Sequence, residues 1–128
     1  MRYGDTVDAM DFAYLAKVTA LNVRMLDHLA RAPKPPAPVA EAAVSTFTAV
    51  KWNEVPGAAH YALWQRRTDA ADWGDEPVIA QVVATSAKLD SVRGDDWIFG
   101  VSACSADGAC SPVASAVPGG AFAPLSSR

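Results

Sequence analysis

The stretch Trp97-Ile98-Phe99-Gly100-Val101-Ser102-Ala103-Cys104 decides the fold, because large apolar residues recur at alternate positions along it. Successive side chains of a β-strand point to opposite faces, so every second residue from Trp97 to Ala103 would share one face. The following Ala106-Asp107-Gly108 is typical of a hairpin turn. The stretch therefore predicts a strand with one face in a core, followed by a tight turn.

Further short runs with strand-like composition flank this stretch and are separated by turn residues such as Pro56 and Gly57. These runs are residues 46–52, 60–67, 77–83, 86–89 and 113–117. Thr48, Val50 and Trp52 would share one face of the first run, and Tyr61 and Leu63 would point inward from the second. About seven short strands at this spacing predict a mainly β protein with a sandwich architecture.

The N-terminal part of the chain has the period of a helix instead. Apolar residues recur three or four positions apart at Val7, Met10, Tyr14, Val18, Leu21, Met25 and Leu29. A second row, Phe12, Leu15 and Leu26, widens the apolar face, so we expect this helix to be covered on more than one side. The pattern predicts one amphipathic helix over residues 7–31, with Asp5 or Thr6 as its N-cap.

Proline defines the segment between the helix and the β-rich part. Ala32-Pro33-Lys34-Pro35-Pro36-Ala37-Pro38 cannot continue a helix and favours an extended polyproline II conformation. A linker over 32–42 is one interpretation, and a proline-rich docking ligand is the alternative. The predicted organisation is a helix at 1–31, the linker, a sandwich at 43–117 and a flexible tail at 118–128.

Composition and charge exclude several classes of function. Of the 128 residues, 51% are hydrophobic, which is enough for at least part of the chain to bury a core. The net charge of -3 argues against nucleic-acid binding. No segment resembles a signal peptide or approaches the roughly 20 apolar residues that span a bilayer. We therefore expect a chain with no membrane span, cytoplasmic if expressed alone.

The sequence offers little catalytic chemistry. A zinc hydrolase needs several converging ligands and a carboxylate that activates water, but this chain has two histidines, His28 and His60, in different regions. The acidic residues of 69–76 lack the spacing of a calcium loop, so a solvated loop is the simpler interpretation. We expect no catalytic or metal-binding residues in this chain.

Two pairs of residues are candidates for other roles. If Gly108 is left-handed in a three-residue loop, Cys104 faces Cys110 and a disulfide can form; two reduced thiols are the alternative. Trp64 should point away from the sandwich interior, and Trp73 should lie in the next loop. Exposed aromatic rings can bind a sugar or a neighbouring domain, and partial cover by neighbouring strands is the alternative.

The β-rich part resembles a fibronectin type III domain over roughly residues 43–117. The resemblance is carried by Trp52 at the end of one strand, the inward Tyr61, the alternating run 97–103, and a glycine turn followed by Ser111-Pro112. It implies a β-sandwich of the immunoglobulin-like kind.

The N-terminal part is similar to the last helix of the metallopeptidase family 28 aminopeptidases, through Asp5-Thr6-Val7-Asp8 leading into 11–16, Asp-Phe-Ala-Tyr-Leu-Ala. The family has a zinc-ligating His just before this helix, but residues 1–6 here contain none. The resemblance implies that zinc belongs to a catalytic domain outside this chain. Some secreted bacterial members continue through a proline-rich linker into a β-sandwich, so a secreted or periplasmic parent is implied.

Together these features predict a non-catalytic accessory or interaction module whose helix, residues 7–31, contacts a peptidase catalytic domain or another protein. The alternative is a free-standing sandwich that binds protein or carbohydrate through Trp64 and Trp73.

Overall fold

The structure, a computed structural model, describes residues 6–41 and 46–119. The chain forms two compact units, Met1–Arg31 and Ala32–Arg128. The first contains the helix and the second contains the β-strands.

The first unit contains α1, Phe12–Arg31, preceded by one 3-10 turn at Val7–Ala9. The helix has the predicted amphipathic pattern. Near its end, Asp27 accepts a hydrogen bond at 2.7 Å from Arg31, which lies one turn further along the helix. No side chain of α1 is buried. Its large apolar residues are mostly exposed, with Tyr14 at 67% and Leu26 at 66%.

The helix begins later than the sequence predicted. Met10 has extended backbone angles, which separate the 3-10 turn from α1. Asp11 then caps α1, because its Oδ1 accepts a hydrogen bond from the Tyr14 N–H at 3.0 Å. Thr6 precedes the 3-10 turn and makes no capping hydrogen bond through its side chain, and Asp5 lies outside the described residues.

Eight strands form the second unit, two of them only two residues long. They are β1 (Val39–Glu41), β2 (Phe47–Lys51), β3 (His60–Arg67), β4 (Ile79–Val82), β5 (Ser86–Asp90), β6 (Trp97–Cys104), β7 (Ala114–Ser115) and β8 (Val117–Pro118). One sheet has the order β5-β2-β1-β8 and the other has the order β4-β3-β6-β7. The predicted β-sandwich is confirmed.

The core lies between the inner faces of the two sheets. Strands β3 and β6 pair antiparallel over their whole length, from His60 opposite Cys104 to Arg67 opposite Trp97. The fully buried core residues Leu63 and Val101 lie directly opposite each other in this pairing. The remaining buried members of the core cluster are Val50, Trp52, Val55, Tyr61, Leu89, Phe99 and Ala103.

The sandwich extends further toward the N-terminus than predicted. Strand β1 lies within 32–42, the range assigned to the linker, and pairs with both β2 and β8. The proline-rich composition hid this strand, because its three residues, Val39–Glu41, directly follow Pro38 and are too few to show an alternating pattern.

The last predicted strand, 113–117, is divided between the two sheets. Strand β7 pairs with β6, whereas β8 pairs in parallel with β1. Two hydrogen bonds mark the change of sheet: the Ala116 N–H donates to the Phe99 carbonyl and the Val117 N–H donates to the Pro38 carbonyl. Residues 120–128 of the predicted tail lie outside the described residues.

We expect Leu63→Ala to lower the free energy of unfolding by about 2–5 kcal/mol, because it leaves a cavity between the sheets. Val83→Ala is the matched control, since Val83 is 80% exposed and its truncation should change stability by less than about 0.5 kcal/mol. Chemical denaturation followed by tryptophan fluorescence measures both. Equal effects of the two substitutions would contradict the assignment of Leu63 to the core.

Candidate functional site

The two histidines lie in separate elements. His28 is in the last turn of α1 and His60 is the first residue of β3. Within residues 6–41 and 46–119, no three His, Cys, Asp or Glu side chains are grouped closely enough to hold a metal ion. Likewise, no helix in this part of the chain is long and apolar enough to cross a membrane.

The loop between β3 and β4 carries the acidic residues of 69–76. Asp69 forms a 3.7 Å ion pair with Arg67, and both side chains are well exposed, at 83% and 60%. Such an exposed pair contributes little stability. Asp72, Asp75 and Glu76 are also exposed.

Trp64 lies on the outer face of the sheet that contains β3. It pairs with Gly100 on β6, and its indole N–H donates a hydrogen bond to Ser102 Oγ at 3.0 Å. Ser102 is 2% exposed, so the hydroxyl that accepts this bond is almost completely covered. Trp64 itself is half-buried. Its polar atom is therefore already engaged within the domain.

Trp73 folds back from its loop over the same outer face. A Cβ atom placed on Gly100 would lie 2.8 Å from Trp73 Cη2 and 2.6 Å from Val113 Cγ1, so the indole occupies the space that a larger residue would need. Glycine inside a strand often marks such a close approach. A lone glycine at the centre of the longest alternating run therefore indicates a close approach at this position, but it does not identify Trp73 as the residue that fills the space.

Arg66 also contacts Trp73. Its guanidinium carbon lies 5.2 Å from the centroid of the Trp73 ring, a cation–π geometry. The same guanidinium donates a hydrogen bond to the Ala70 carbonyl within the loop. Trp64 and Trp73 are thus brought to one face of the sheet, but both rings make contacts inside the domain.

The predicted disulfide between Cys104 and Cys110 is confirmed. The hairpin has the predicted geometry: Gly108 has a φ of 87°, and the Ser105 N–H donates to the Ala109 carbonyl at 2.9 Å. Ser111, to which the sequence assigned no structural role of its own, closes the same hairpin. Its hydroxyl accepts a hydrogen bond from the Ala103 N–H, and its own N–H donates to the Ala103 carbonyl.

Most of the large exposed apolar side chains among the described residues belong to α1, where they form one apolar face. At 3.6 residues per turn it covers more than half of the helix circumference. Its members are Phe12, Tyr14, Leu15, Val18, Leu21, Val23, Met25, Leu26 and Leu29. Lys17, Arg24, His28 and Arg31 form a basic strip on the remaining side. Exposed apolar surfaces of this kind are found at protein and membrane interfaces and in ligand-binding grooves.

Comparison with known proteins identifies a sequence relative of the chain and the fold of the sandwich. No family model matches the chain. A probable zinc metalloprotease of Leptosphaeria maculans is 30% identical over 122 residues. The match covers 91% of this chain and 27% of the metalloprotease, so the chain spans about a quarter of the length of that relative.

Solved structures identify the sandwich as fibronectin type III-like. An Fn3-like protein from Clostridium thermocellum superposes with a TM-score of 0.54 and 19% identity, over 68% of this chain and 88% of that one. The twitchin kinase region from C. elegans gives a TM-score of 0.51 and 20% identity, over 69% of this chain and 17% of that one. At these identities the likeness shows the fold alone.

We expect Gly100→Ala to destabilise the domain by about 1–3 kcal/mol, because the new methyl group would overlap Trp73 and Val113. In a Trp73→Ala background the same substitution should cost less, since one of the two clashing side chains is gone. Urea denaturation of the four proteins of this double-mutant cycle measures the difference. An equal cost in both backgrounds would show that Trp73 does not pack on Gly100.

We expect iodoacetamide to label neither Cys104 nor Cys110 in protein isolated under oxidising conditions until a reductant is added. Mass spectrometry of the intact chain reads the number of labels directly. Cys110→Ser should leave Cys104 as a thiol that is labelled only after denaturation, because Cys104 is 1% exposed. Two labels on the native, unreduced wild-type protein would contradict the disulfide.

Proposed function

We propose that this chain is a non-catalytic accessory module of a larger protein related to zinc metalloproteases. The observation that carries the proposal is the extent of the sequence match, which covers 91% of the chain. The unmatched residues are far fewer than those of the helical unit Met1–Arg31, so the match includes part of α1 as well as the sandwich. Sequences similar to both units therefore occur together in a relative that is more than three times as long as this chain.

The composition of the chain supports a non-catalytic role. Zinc proteases hold their metal with several His, Asp or Glu ligands and activate a water molecule with a further carboxylate. The whole sequence has two histidines, one in each unit. In this proposal, the zinc ligands and the general base belong to the remaining three quarters of a protein like the metalloprotease relative.

A finer assignment follows from the helix. Residues 5–16 resemble the start of the last helix of the family 28 aminopeptidases, and the matched relative is a probable zinc metalloprotease. We assign the parent to this kind of peptidase. The sandwich is then an appended domain, and the chain alone has no peptidase activity.

The partner of α1 in this proposal is the catalytic domain of that parent. A helix with exposed apolar residues around more than half of its circumference needs cover from more than one neighbouring element. The basic strip of α1, formed by Lys17, Arg24, His28 and Arg31, is the side that would stay in contact with water.

The disulfide supports an exported parent. Disulfides persist in oxidising compartments, and Cys104–Cys110 accounts for both cysteines of the chain. A binding role for Trp64 and Trp73, the alternative function, has less support, because the indole N–H of one ring and a face of the other are engaged within the sandwich.

The proposal predicts different effects for two adjacent substitutions in α1. Replace the matched region of the Leptosphaeria maculans metalloprotease with this chain and compare Val18→Asp, in the apolar face, with Lys17→Asp, in the basic strip. The carboxylate introduced by Val18→Asp would be buried without a partner and should lower the thermal midpoint of the catalytic part by several degrees. The carboxylate introduced by Lys17→Asp would stay in water and should have little effect.

Assays of the isolated chain complete the test. With added zinc it should not hydrolyse aminoacyl anilides, and hydrolysis would contradict a non-catalytic role. Far-UV circular dichroism of both variants controls for loss of helix. If Val18→Asp and Lys17→Asp leave the chimera equally stable, the apolar face of α1 does not contact the catalytic domain.

A further inference from the structure

The proline-rich segment has almost no backbone donors. In Pro35-Pro36-Ala37-Pro38, only Ala37 has an N–H group, because proline has none. A sheet could therefore hold this segment through a single backbone donor and its carbonyl oxygens. If the Ala37 N–H donates to a group of the sandwich, the segment is part of the domain; if it donates only to water, the segment is a free linker.

Residues 36–38, which we name the proline strap, lie against the sandwich. Pro36 and Pro38 are buried, whereas Ala37 between them is exposed. The strap leads directly into β1, whose register places Val39 opposite Lys51. Alternate burial shows that the strap continues the side-chain pattern of an extended strand before the first ladder pair.

Asn53 provides the acceptor for the single donor of the strap. Its Oδ1 accepts a hydrogen bond from the Ala37 N–H at 2.7 Å, and its own Nδ2 donates to the Glu54 carbonyl at 3.0 Å. The second bond orients the amide so that the oxygen faces Ala37. On the other side, the Pro38 carbonyl accepts a hydrogen bond from the Val117 N–H at 3.0 Å.

From these contacts we infer that the sandwich has a binding site for a Pro-X-Pro segment, occupied by its own residues 36–38 and read by Asn53 through the N–H of the middle residue. Residues 36–38 are then an integral part of the domain. The spacer between the end of α1 and the strap is limited to Ala32–Pro35. This inference does not depend on the proposed function.

The same contacts argue against Pro36-Ala37-Pro38 as a docking ligand for another protein. Recognition of proline-rich segments by other proteins uses the proline rings as the contact surface. Here the rings of Pro36 and Pro38 are buried. In the full chain they are therefore not available to a partner that reads this Pro-X-Pro.

Amide hydrogen exchange of the full chain, followed by NMR, tests the inference. We expect Asn53→Ala to reduce the protection of the Ala37 amide by roughly three- to tenfold, as removal of one hydrogen bond does. Asn53→Asp keeps an acceptor oxygen and should retain most of the protection. The Ser105 amide, which donates to Ala109 within the β6 hairpin, makes no contact with Asn53 and is the control whose protection should be unchanged.

Ala37→Pro gives a second, independent measurement. It removes the donor but keeps the backbone angle that an extended proline segment needs. If Asn53 acts through Ala37, Asn53→Ala should destabilise the wild-type chain but have a much smaller effect in the Ala37→Pro background. Unchanged protection of Ala37 in Asn53→Ala, or full additivity of the two substitutions, would overturn the inference.

Discussion

The antiparallel pairing of β3 with β6 is the interaction on which the rest of the sandwich depends. Its eight residue pairs place Leu63 opposite Val101 at the centre of the core, and each of the two strands then carries a further neighbour, β4 or β7. The opposite sheet supplies Val50 and Leu89 to the same apolar layer. Because the centre of one face of this pair, including Leu63 and Val101, is buried, a one-residue slip would turn these side chains away from the core, so the register is strongly specified.

The outer face of the same strand pair shows how the aromatic residues are used. Gly100 leaves room for Trp73, and Arg66 on the neighbouring strand lies over the indole ring. The acidic loop between β3 and β4 is therefore tied to the sheet through its tryptophan. Trp64 and Trp73 both lie on this outer face, and each makes contacts within the domain.

The two units differ in the solvent exposure of their large apolar side chains. In the sandwich, nearly all large apolar side chains of the central strands are covered, whereas on α1 most of them are exposed. A sequence match to a much larger metalloprotease covers 91% of the chain and includes part of each unit. In our proposal, a neighbouring domain of such a protein covers the helix, whereas the sandwich is stabilised by its own core.

The sequence by itself determined the class of fold, the amphipathic helix and the Cys104–Cys110 pairing. These features depend on local periodicity and turn chemistry, which neighbouring residues specify. Only the tertiary structure decided three other features: strand β1, the division of the last strand between two sheets, and the contact of Trp73 with Gly100. Each depends on a partner distant in the chain: Val39 needs Lys51 and Val117, and Gly100 needs Trp73. A local pattern cannot specify such a pairing, since proline masks the strand signal and the space beside a glycine exists only after the sheet has formed.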